Sequence, residues 1–296
     1  MVSPYSQVIS RLAPTPSGYL HMGNLYNFVL TWLHVRLRGG RLILRIDDLD
    51  QARIRDQYLD DIFYALDWLG LEYDDGPADV SEFKARYSQT IRVADYQMTV
   101  EQIRTKAQTF YCQCSRKDIE RLSPERHYQG TCQQLQLPQI KGSTVLRLAT
   151  NKMSKITLLE QGELSAEHSI HELMPFPVLI KKDGVSTYQV ASLTDDVNMG
   201  VNFLVRGKDL WTSSLTQAYL AKLCGYARFE EASFIHHELI EGNNKLKLSK
   251  SQNAPLYEKT PKNKSVLISM VGKSMGANGR IESLPALLEA VGVPPL

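Results

Sequence analysis

Residues 11–24 read RLAPTPSGYLHMGN and contain a turn between a strand and a helix. The run VISRLA at residues 8–13 is short and apolar, which predicts a buried strand. Two prolines and a glycine then predict a tight turn. After His21, apolar residues recur at helical spacing at Leu25, Phe28, Val29, Trp32 and Leu33. A strand, a tight loop and a helix N-terminus form an anion site, because free backbone N–H groups and the helix dipole face the ligand.

A second motif, KLSKS at Lys247–Ser251, lies in a polar stretch near the other end of the chain. Its two lysines, Lys247 and Lys250, can converge on a polyphosphate. In the first motif, His21 can donate a hydrogen bond to a phosphate, and Gly23 lets a ligand approach the backbone closely. Both motifs therefore indicate nucleotide binding.

The two motifs resemble the HIGH and KMSKS signatures of class I aminoacyl-tRNA synthetases. RIDDLD at Arg45–Asp50 and VRGKD at Val205–Asp209 narrow this to the glutamyl group of the family, over roughly residues 8–260. The resemblance implies activation of glutamate by ATP, with Mg²⁺ sharing the phosphate charge. A further KMSK sequence, at Lys152–Lys155, precedes VRGKD and is interpreted as a chance match.

The resemblance also implies site residues. The catalytic group is expected to be His21, Lys247 and Lys250. ATP is expected to contact Pro14, His21, Gly23, Asn24, Asp209 and Lys250. Glutamate is expected to contact Arg11, Ala13, Thr15, Asp47, Tyr188 and Arg206. Arginine suits the two carboxylates because its planar fork binds them bidentately.

Asp47 departs from the family pattern, which usually has glutamate at this position to contact the substrate ammonium. Aspartate is one methylene shorter, so its carboxylate lies about 1.5 Å further back. A water in the gap, a deeper substrate or a different amino acid are the alternatives. Acids that merely cap the following helix are the structural alternative for Asp47, Asp48 and Asp50.

Strands are predicted at 7–12, 41–46, 201–205 and 234–239, and helices at 24–38, 51–70 and 213–224. Their alternation predicts an α/β fold with a Rossmann-like, doubly wound parallel sheet. We expect a discontinuous nucleotide-binding domain, 1–75 and 187–250, split by a zinc-containing insertion lobe, 76–186, that holds an acceptor end of RNA. Residues 251–296 are expected to form a short helical C-terminal appendage, with no anticodon-binding domain.

Three cysteines in the segment FYCQCSRKDIERLSPERHYQGTC predict a structural zinc site at Cys112, Cys114 and Cys132. The fourth ligand is open between two neighbours. Neutral imidazole binds zinc readily, which favours His127 on chemistry alone, whereas the phenol must first lose a proton. The resembled family uses the tyrosine of Tyr-x-x-x-Cys, which favours Tyr128. Buried free thiols are the alternative to a metal.

Composition sets the remaining limits. The 296 residues are 43% hydrophobic and carry a net charge of +2, which is ordinary for a soluble protein. No apolar run is long enough for a membrane span and no secretory signal is evident, so we expect a cytoplasmic chain. A monomer is compatible with this length. Six lysines in residues 243–264 place positive charge where ATP phosphates or RNA would lie; a solvated loop is the alternative for Lys259, Lys262 and Lys264.

The short stretch after KLSKS resembles the smaller paralogues of the glutamyl group, which transfer glutamate to the queuosine base of tRNA(Asp). The resemblance therefore implies glutamate, ATP and queuosine-bearing tRNA(Asp) as partners, with no membrane. Two alternatives stay open: a ligase for glutamate or another amino acid with a different acceptor, and a non-catalytic RNA-binding paralogue. The lysines of KLSKS argue against the second, since a pure binder needs no group to stabilise pyrophosphate.

Overall fold

The predicted strand, turn and helix around His21 are present in this computed structural model, which describes residues 7–123, 128–240 and 257–292. The strands in chain order are β1 (Ile9–Leu12), β2 (Arg41–Leu44), β3 (Thr109–Cys112), β4 (Val145–Leu148), β5 (Lys155–Ile156), β6 (Leu159–Glu160), β7 (Glu163–Leu164), β8 (His168–Ser169), β9 (Val178–Ile180), β10 (Phe203–Gly207) and β11 (Ser233–His237).

The helices in chain order are α1 (Met22–Leu37), α2 (Asp56–Leu69), α3 (Val80–Glu82), α4 (Val93–Lys106), α5 (Arg116–Leu122), α6 (Ile170–Leu173), α7 (Tyr188–Asn198), α8 (Trp211–Cys224), α9 (Ala227–Glu230), α10 (Pro261–Ser274) and α11 (Leu284–Val291). The predicted helix over 51–70 is divided, because a short 3₁₀ turn over Gln51–Arg53 precedes α2. Gly70, in the left-handed conformation at φ +67°, ends α2 as predicted.

The chain forms two compact units. The first comprises Met1–Ile91, Val201–Asp209 and Phe234–Leu296, and the second comprises Arg92–Gly200 and Leu210–Ser233. These bounds do not coincide with those of the predicted nucleotide-binding domain and insertion lobe. The predicted division into a nucleotide-binding domain and an insertion lobe stays a prediction.

The first unit contains a parallel sheet covered by helices. β1 and β2 pair in parallel from Ile9 with Arg41 to Leu12 with Leu44. Beyond β2, Asp75 forms a parallel bridge with Ile43. On the other side of β1, Ile9 exchanges hydrogen bonds with Asn202, which precedes β10, at 2.8 and 3.0 Å. This confirms the predicted α/β fold with a parallel sheet.

Helix α1 lies at the centre of the first unit's core. Most of its apolar residues are buried, as expected for a helix that is covered on several sides. α10 and α11 both pack on α1 and contribute buried residues to the same core, including Leu267, Val271 and Leu287. The sequence predicted helices in this region, but it did not show that they pack against the first helix of the chain.

The second unit combines a helical group with small antiparallel sheets. α4, α7 and α8 pack on one another, and β3, β4 and β9 form an antiparallel sheet. A partly buried ion pair joins α7 to the residue before α4, since the Arg92 guanidinium binds the buried Asp195 through two hydrogen bonds of 2.7 and 3.0 Å. The Tyr96 hydroxyl also donates to Asp195 at 3.0 Å.

In the described part of the chain, no helix is both long and apolar enough to cross a bilayer.

Candidate active site and candidate metal centre

His21 forms the N-terminal cap of α1. Its backbone is extended, and its Nδ1 accepts a hydrogen bond from the Gly23 amide at 3.1 Å. In return, the Asn24 side-chain oxygen accepts from the His21 amide at 3.1 Å, which completes a reciprocal capping box. Since Nδ1 accepts, a neutral His21 carries its proton on Nε2. The first motif therefore positions an imidazole N–H donor beside a helix N-terminus.

The charge of His21 is set by its surroundings. Burial lowers the pKa of His21, and the nearby negative charge of Asp209 partly opposes this. The imidazole is therefore neutral at pH 7. A neutral Nε2–H can donate a hydrogen bond to phosphate without bringing a full positive charge.

Gly23 has a local reason for being glycine. A Cβ atom at this position would lie 3.1 Å from two atoms of the His21 ring, Cε1 and Nδ1. That distance is tighter than most side-chain contacts, so a larger residue would require the His21 ring to shift by a few tenths of an ångström. Glycine at this position therefore suits the capping geometry of His21.

The loop between β1 and α1 is tied to the end of β2. The Pro14 carbonyl accepts from the Asp47 amide at 2.8 Å, and the Leu12 carbonyl accepts from the Arg45 amide at 2.9 Å. Ala13 is half-buried and Thr15 is exposed. The loop and the residues after β2 thus lie together at the carboxyl ends of parallel strands, where ligands bind in folds of this kind.

The two predicted carboxylate-binding arginines occupy strands in the same unit. Arg11 is the third residue of β1 and Arg206 the fourth of β10, and they are only 4% and 2% exposed. The Arg206 guanidinium lies 5.8 Å from the centre of the Phe234 ring, at a distance typical of a cation–π contact. Both arginines therefore lie toward the carboxyl ends of their strands.

Asp47 is buried and is bound by Arg45, which was not among the predicted site residues. Arg45 donates to both Asp47 carboxylate oxygens, from Nε at 2.7 Å and from an Nη at 3.1 Å. The two side chains are 1% and 7% exposed. Asp47 is thus no surface acid. Asp48 is also buried and accepts from the Gln89 amide at 2.7 Å.

His237 and Asn27 lie beside β10, where the Asn27 side chain donates to the Val205 carbonyl at 3.3 Å, and both residues were missed from the sequence. The His237 Nδ1 donates to the Glu238 carbonyl at 2.8 Å, and its Nε2 lies 3.1 Å from the Asn27 side-chain nitrogen. Burial lowers the pKa of His237, and the contacts with Glu238 and Asp209 oppose this only in part. Asp209 itself is exposed. The pair of histidines at 236–237, at the end of a predicted strand, was the available signal.

The remaining predicted residues fall elsewhere. Tyr188 is the first residue of α7, in the second unit, with 39% of its surface exposed. Lys247 and Lys250 lie outside the described residues. The other ten predicted residues all lie in the first unit: Arg11, Ala13, Pro14, Thr15, His21, Gly23, Asn24, Asp47, Arg206 and Asp209.

The cysteine cluster lies in the second unit. The sulfur atoms of Cys112, Cys114 and Cys132 all lie within 4.8 Å of one another, and those of Cys114 and Cys132 are 3.6 Å apart. Two thiolates about 2.3 Å from a tetrahedral zinc would be separated by about 3.8 Å. The spacing is far too long for a disulfide and fits a shared metal.

Tyr128 lies against these sulfurs. Its hydroxyl accepts from the Cys132 amide at 2.7 Å. Burial raises the pKa of Tyr128, and its hydrogen bond with Cys112 raises it further, so the phenol keeps its proton unless a cation replaces it. The alternative ligand, His127, lies outside the described residues.

The surroundings of Tyr128 hold its ring in place. The Arg147 guanidinium lies 4.1 Å from the ring centre, and Phe176 packs against the ring edge-on at 5.5 Å. Gly130, at φ +80°, has no room for a side chain, because a Cβ would lie 2.7 Å from the Phe176 ring. The cluster therefore has a packed aromatic support and three soft donors.

Comparisons with known proteins agree on one family. A model described as the catalytic domain of class I tRNA synthetases (E and Q) matches residues 7–275. The chain is 34% identical to a glutamyl-Q tRNA(Asp) synthetase of Symbiobacterium thermophilum, over 82% of this chain and 78% of that protein. It is 33% identical to a protein of the same name from Nitratidesulfovibrio vulgaris, over 73% and 70%.

Other relatives are longer. The chain is 30% identical to glutamate–tRNA ligase 2 of Halorhodospira halophila, over 83% of this chain and 51% of the ligase. It thus spans about half the length of the glutamate–tRNA ligases that it matches. A crystal structure of a glutamate tRNA ligase from Elizabethkingia meningosepticum with its amino acid has a TM-score of 0.74 at 22% identity, covering 97% of this chain and 65% of that one. This likeness supports the fold.

Proposed function

The chain belongs to the class I tRNA synthetase family for glutamate and glutamine, and from this premise we propose that it activates glutamate with ATP and transfers it to the queuosine base of tRNA(Asp). The observation that carries the activation step is the capped, neutral His21 at the N-terminus of α1, in the same unit as two buried arginines. The relatives that bear the queuosine name support the acceptor, at 33–34% identity.

Two kinds of group are needed for the amino acid. Arg11 and Arg206 supply positive charge for the two carboxylates of glutamate, and burial strengthens each interaction by excluding water. Asp47 supplies negative charge for the ammonium. The ammonium would share this carboxylate with Arg45, which donates to both of its oxygens. Ala13 and Thr15 complete the contacts within the first unit.

The nucleotide occupies the first motif. The amides at the N-terminus of α1 and the His21 Nε2–H face the phosphates, with Pro14, Gly23, Asn24 and Asp209 around them. An oxygen of the glutamate α-carboxylate attacks the α-phosphorus of ATP. The bond from that phosphorus to its bridging oxygen breaks, and pyrophosphate leaves with its charge neutralised by Lys247 and Lys250. Mg²⁺ bound with ATP would share that charge.

Transfer then needs a hydroxyl acceptor. A hydroxyl of queuosine attacks the carbonyl carbon of glutamyl-adenylate, loses its proton and displaces AMP. The protein acts by positioning and electrostatic stabilisation, with no covalent intermediate on the enzyme. Zinc held by Cys112, Cys114, Cys132 and Tyr128 would stabilise the fold of the second unit rather than take part in this step.

The experiment is glutamylation of purified tRNA(Asp), with and without queuosine, using labelled glutamate and ATP. We expect label only on the queuosine-containing RNA, and we expect it to survive removal of the 3′-terminal adenosine. Label that is lost with that adenosine would indicate ordinary tRNA charging. Pyrophosphate exchange with glutamate but no label on either RNA would contradict queuosine as the proposed acceptor. No exchange with glutamate would overturn the choice of amino acid, and Asp47 would then become the first residue to vary.

A further inference from the structure

Asp61 is a buried carboxylate on an otherwise apolar helix face. It lies on α2 among Leu59, Ile62 and Ala65, which are 0–1% exposed, and is itself 8% exposed. A buried carboxylate requires an opposite charge and hydrogen-bond donors. Asp61 obtains both from segments distant in sequence.

One carboxylate oxygen reaches the loop before α1. Asp61 Oδ2 accepts from the Leu20 amide at 2.8 Å. Leu20 is 4% exposed and directly precedes His21, the cap of α1. The hydrogen bond therefore fixes the peptide group that precedes Leu20, one residue before the His21 imidazole proposed for the ATP site.

The other oxygen forms a buried ion pair. Lys259 Nζ lies 2.6 Å from Asp61 Oδ1, and the two side chains are 4% and 7% exposed. The Lys259 ammonium also lies 5.5 Å from the centre of the Tyr64 ring. Lys259 is thus neither a phosphate-facing lysine nor part of a solvated loop, which were the two expectations from the sequence.

The pair is poorly explained by stability alone. Replacing a buried ion pair by apolar residues of similar shape is often neutral or stabilising, because removing two charges from water is costly. What an apolar pair does not supply is an acceptor for the Leu20 amide. We propose that Asp61 is a positioning residue for the ATP site, holding the Leu20 amide and so orienting His21, with Lys259 neutralising its charge.

This inference rests on the proposed function, because it takes the His21 region as the nucleotide site. Leu20 lies just before His21, and Lys259 lies eight residues after Ser251. A single carboxylate therefore holds both Leu20 and Lys259 within one compact unit.

The test compares two double variants that both lack the ion pair. Asp61→Asn/Lys259→Met keeps a side-chain oxygen for the Leu20 amide, whereas Asp61→Leu/Lys259→Met has a similar shape and no acceptor. We expect the leucine variant to bind Mg·ATP about tenfold more weakly than the asparagine variant in calorimetry. The KM for glutamate in pyrophosphate exchange is expected to stay within about twofold.

A control with the same connectivity, a carboxylate that binds one backbone amide and one cation, lies near the start of β2 and is more exposed. Asp74 accepts from the Leu42 amide at 2.7 Å and pairs with Arg36 at 2.8 Å, near the start of β2. Asp74→Asn/Arg36→Met and Asp74→Leu/Arg36→Met are expected to bind Mg·ATP equally well. Unfolding midpoints confirm that each variant is folded at the temperature of the assay, and Asp61→Ala/Lys259→Met replaces the leucine variant if that one does not fold.

The outcomes separate the two proposals. Equal Mg·ATP affinity of the two Asp61 double variants overturns the positioning role, as does an equal loss in the Asp74 control pair. A wild-type chain that binds Mg·ATP but shows no glutamate-dependent exchange overturns the proposed function and leaves the positioning comparison intact. A wild-type chain that does not bind Mg·ATP overturns both.

Discussion

His21 shows how much of the candidate site is set by single side chains. Its ring caps α1 through Nδ1, which leaves the Nε2 proton for a ligand. The sequence correctly predicted the helix that follows. The structure adds that a Cβ at Gly23 would lie 3.1 Å from the His21 ring, and the contact of Gly23 with ATP stays a prediction. The ring orientation follows from a hydrogen bond within the same motif, whereas the burial that lowers the pKa of His21 depends on the rest of the fold.

Two variants test which of the two similar motifs, KLSKS or KMSK, acts in the activation step. Lys250→Ala is expected to lower glutamate-dependent pyrophosphate exchange by orders of magnitude, because the proposed charge on leaving pyrophosphate loses its partner. Lys152→Ala, in the chance KMSK match, is expected to leave exchange nearly intact, since Lys152 is an exposed residue of the second unit. Equal losses would show that the assignment of KLSKS is wrong.

The Arg45–Asp47 pair gives a prediction about stability. Asp47→Asn removes one charge of a pair whose side chains are 1% and 7% exposed, and so weakens the charge compensation of the buried Arg45 guanidinium. We expect a loss of about 3–5 kcal/mol in the free energy of unfolding. Lys84→Met disrupts the exposed pair with Asp56 and is expected to cost under about 1 kcal/mol. Urea unfolding measures both, and similar losses would contradict a buried structural role for Asp47.

At the scale of elements, the cysteine cluster depends on two separate segments. Cys112 ends β3 and Cys114 follows it, while Tyr128 and Cys132 come from a loop held by Phe110 and Phe176. The spacing of the cysteines predicted a metal, and the structure brings their sulfurs within reach of one ion. The aromatic support around Tyr128 could not be predicted, since Phe176 lies far along the chain.

Metal content tests this cluster directly. We expect about one zinc per purified wild-type chain. Cys112→Ser is expected to lose the zinc and to lower the melting temperature, because the metal links two segments of the second unit. Cys224→Ser is the control, since Cys224 ends α8 and is not part of the cluster. Full zinc in the Cys112 variant, or equal loss in both variants, would remove the basis for a metal site.

Two further variants test whether Tyr128 or His127 is the fourth zinc ligand. If Tyr128 binds zinc, Tyr128→Phe weakens zinc retention against a chelator and His127→Ala does not. The reverse result would assign the ligand to His127, the choice favoured by side-chain chemistry alone. Loss in neither variant would leave the three thiolates as the protein ligands.

The pH dependence of stability belongs to the molecule as a whole, and His34 contributes to it between about pH 4 and 6.5. Burial, with the nearby Arg38, lowers the pKa of His34 from 6.5 to about 4. The unfolded chain therefore takes up a proton before the folded chain does. This contribution to stability is fully present above pH 6.5 and is lost as the pH falls to about 4, amounting to about 3 kcal/mol.

His34→Gln tests this contribution. In the variant, the free energy of unfolding is expected to fall less steeply between pH 6.5 and 4 than in the wild-type chain. Above pH 7 the two curves are expected to run parallel, offset by whatever packing the substitution costs. Urea titrations at several pH values measure the slopes. Equal slopes over the acidic window would show that His34 does not account for the pH dependence.

The sequence by itself determined the α/β class, the main strands and helices of the first unit, and the family. These follow from local patterns: apolar periodicity, turn residues and ordered motifs. Only the tertiary structure decided where the buried charges find partners, as Asp61 does with Leu20 and Lys259 and as Asp47 does with Arg45. The partners of Asp61 lie about 40 and 200 residues away in sequence. A buried charge is stabilised by whatever the fold brings within about 3 Å, and that proximity is not encoded in the spacing along the chain.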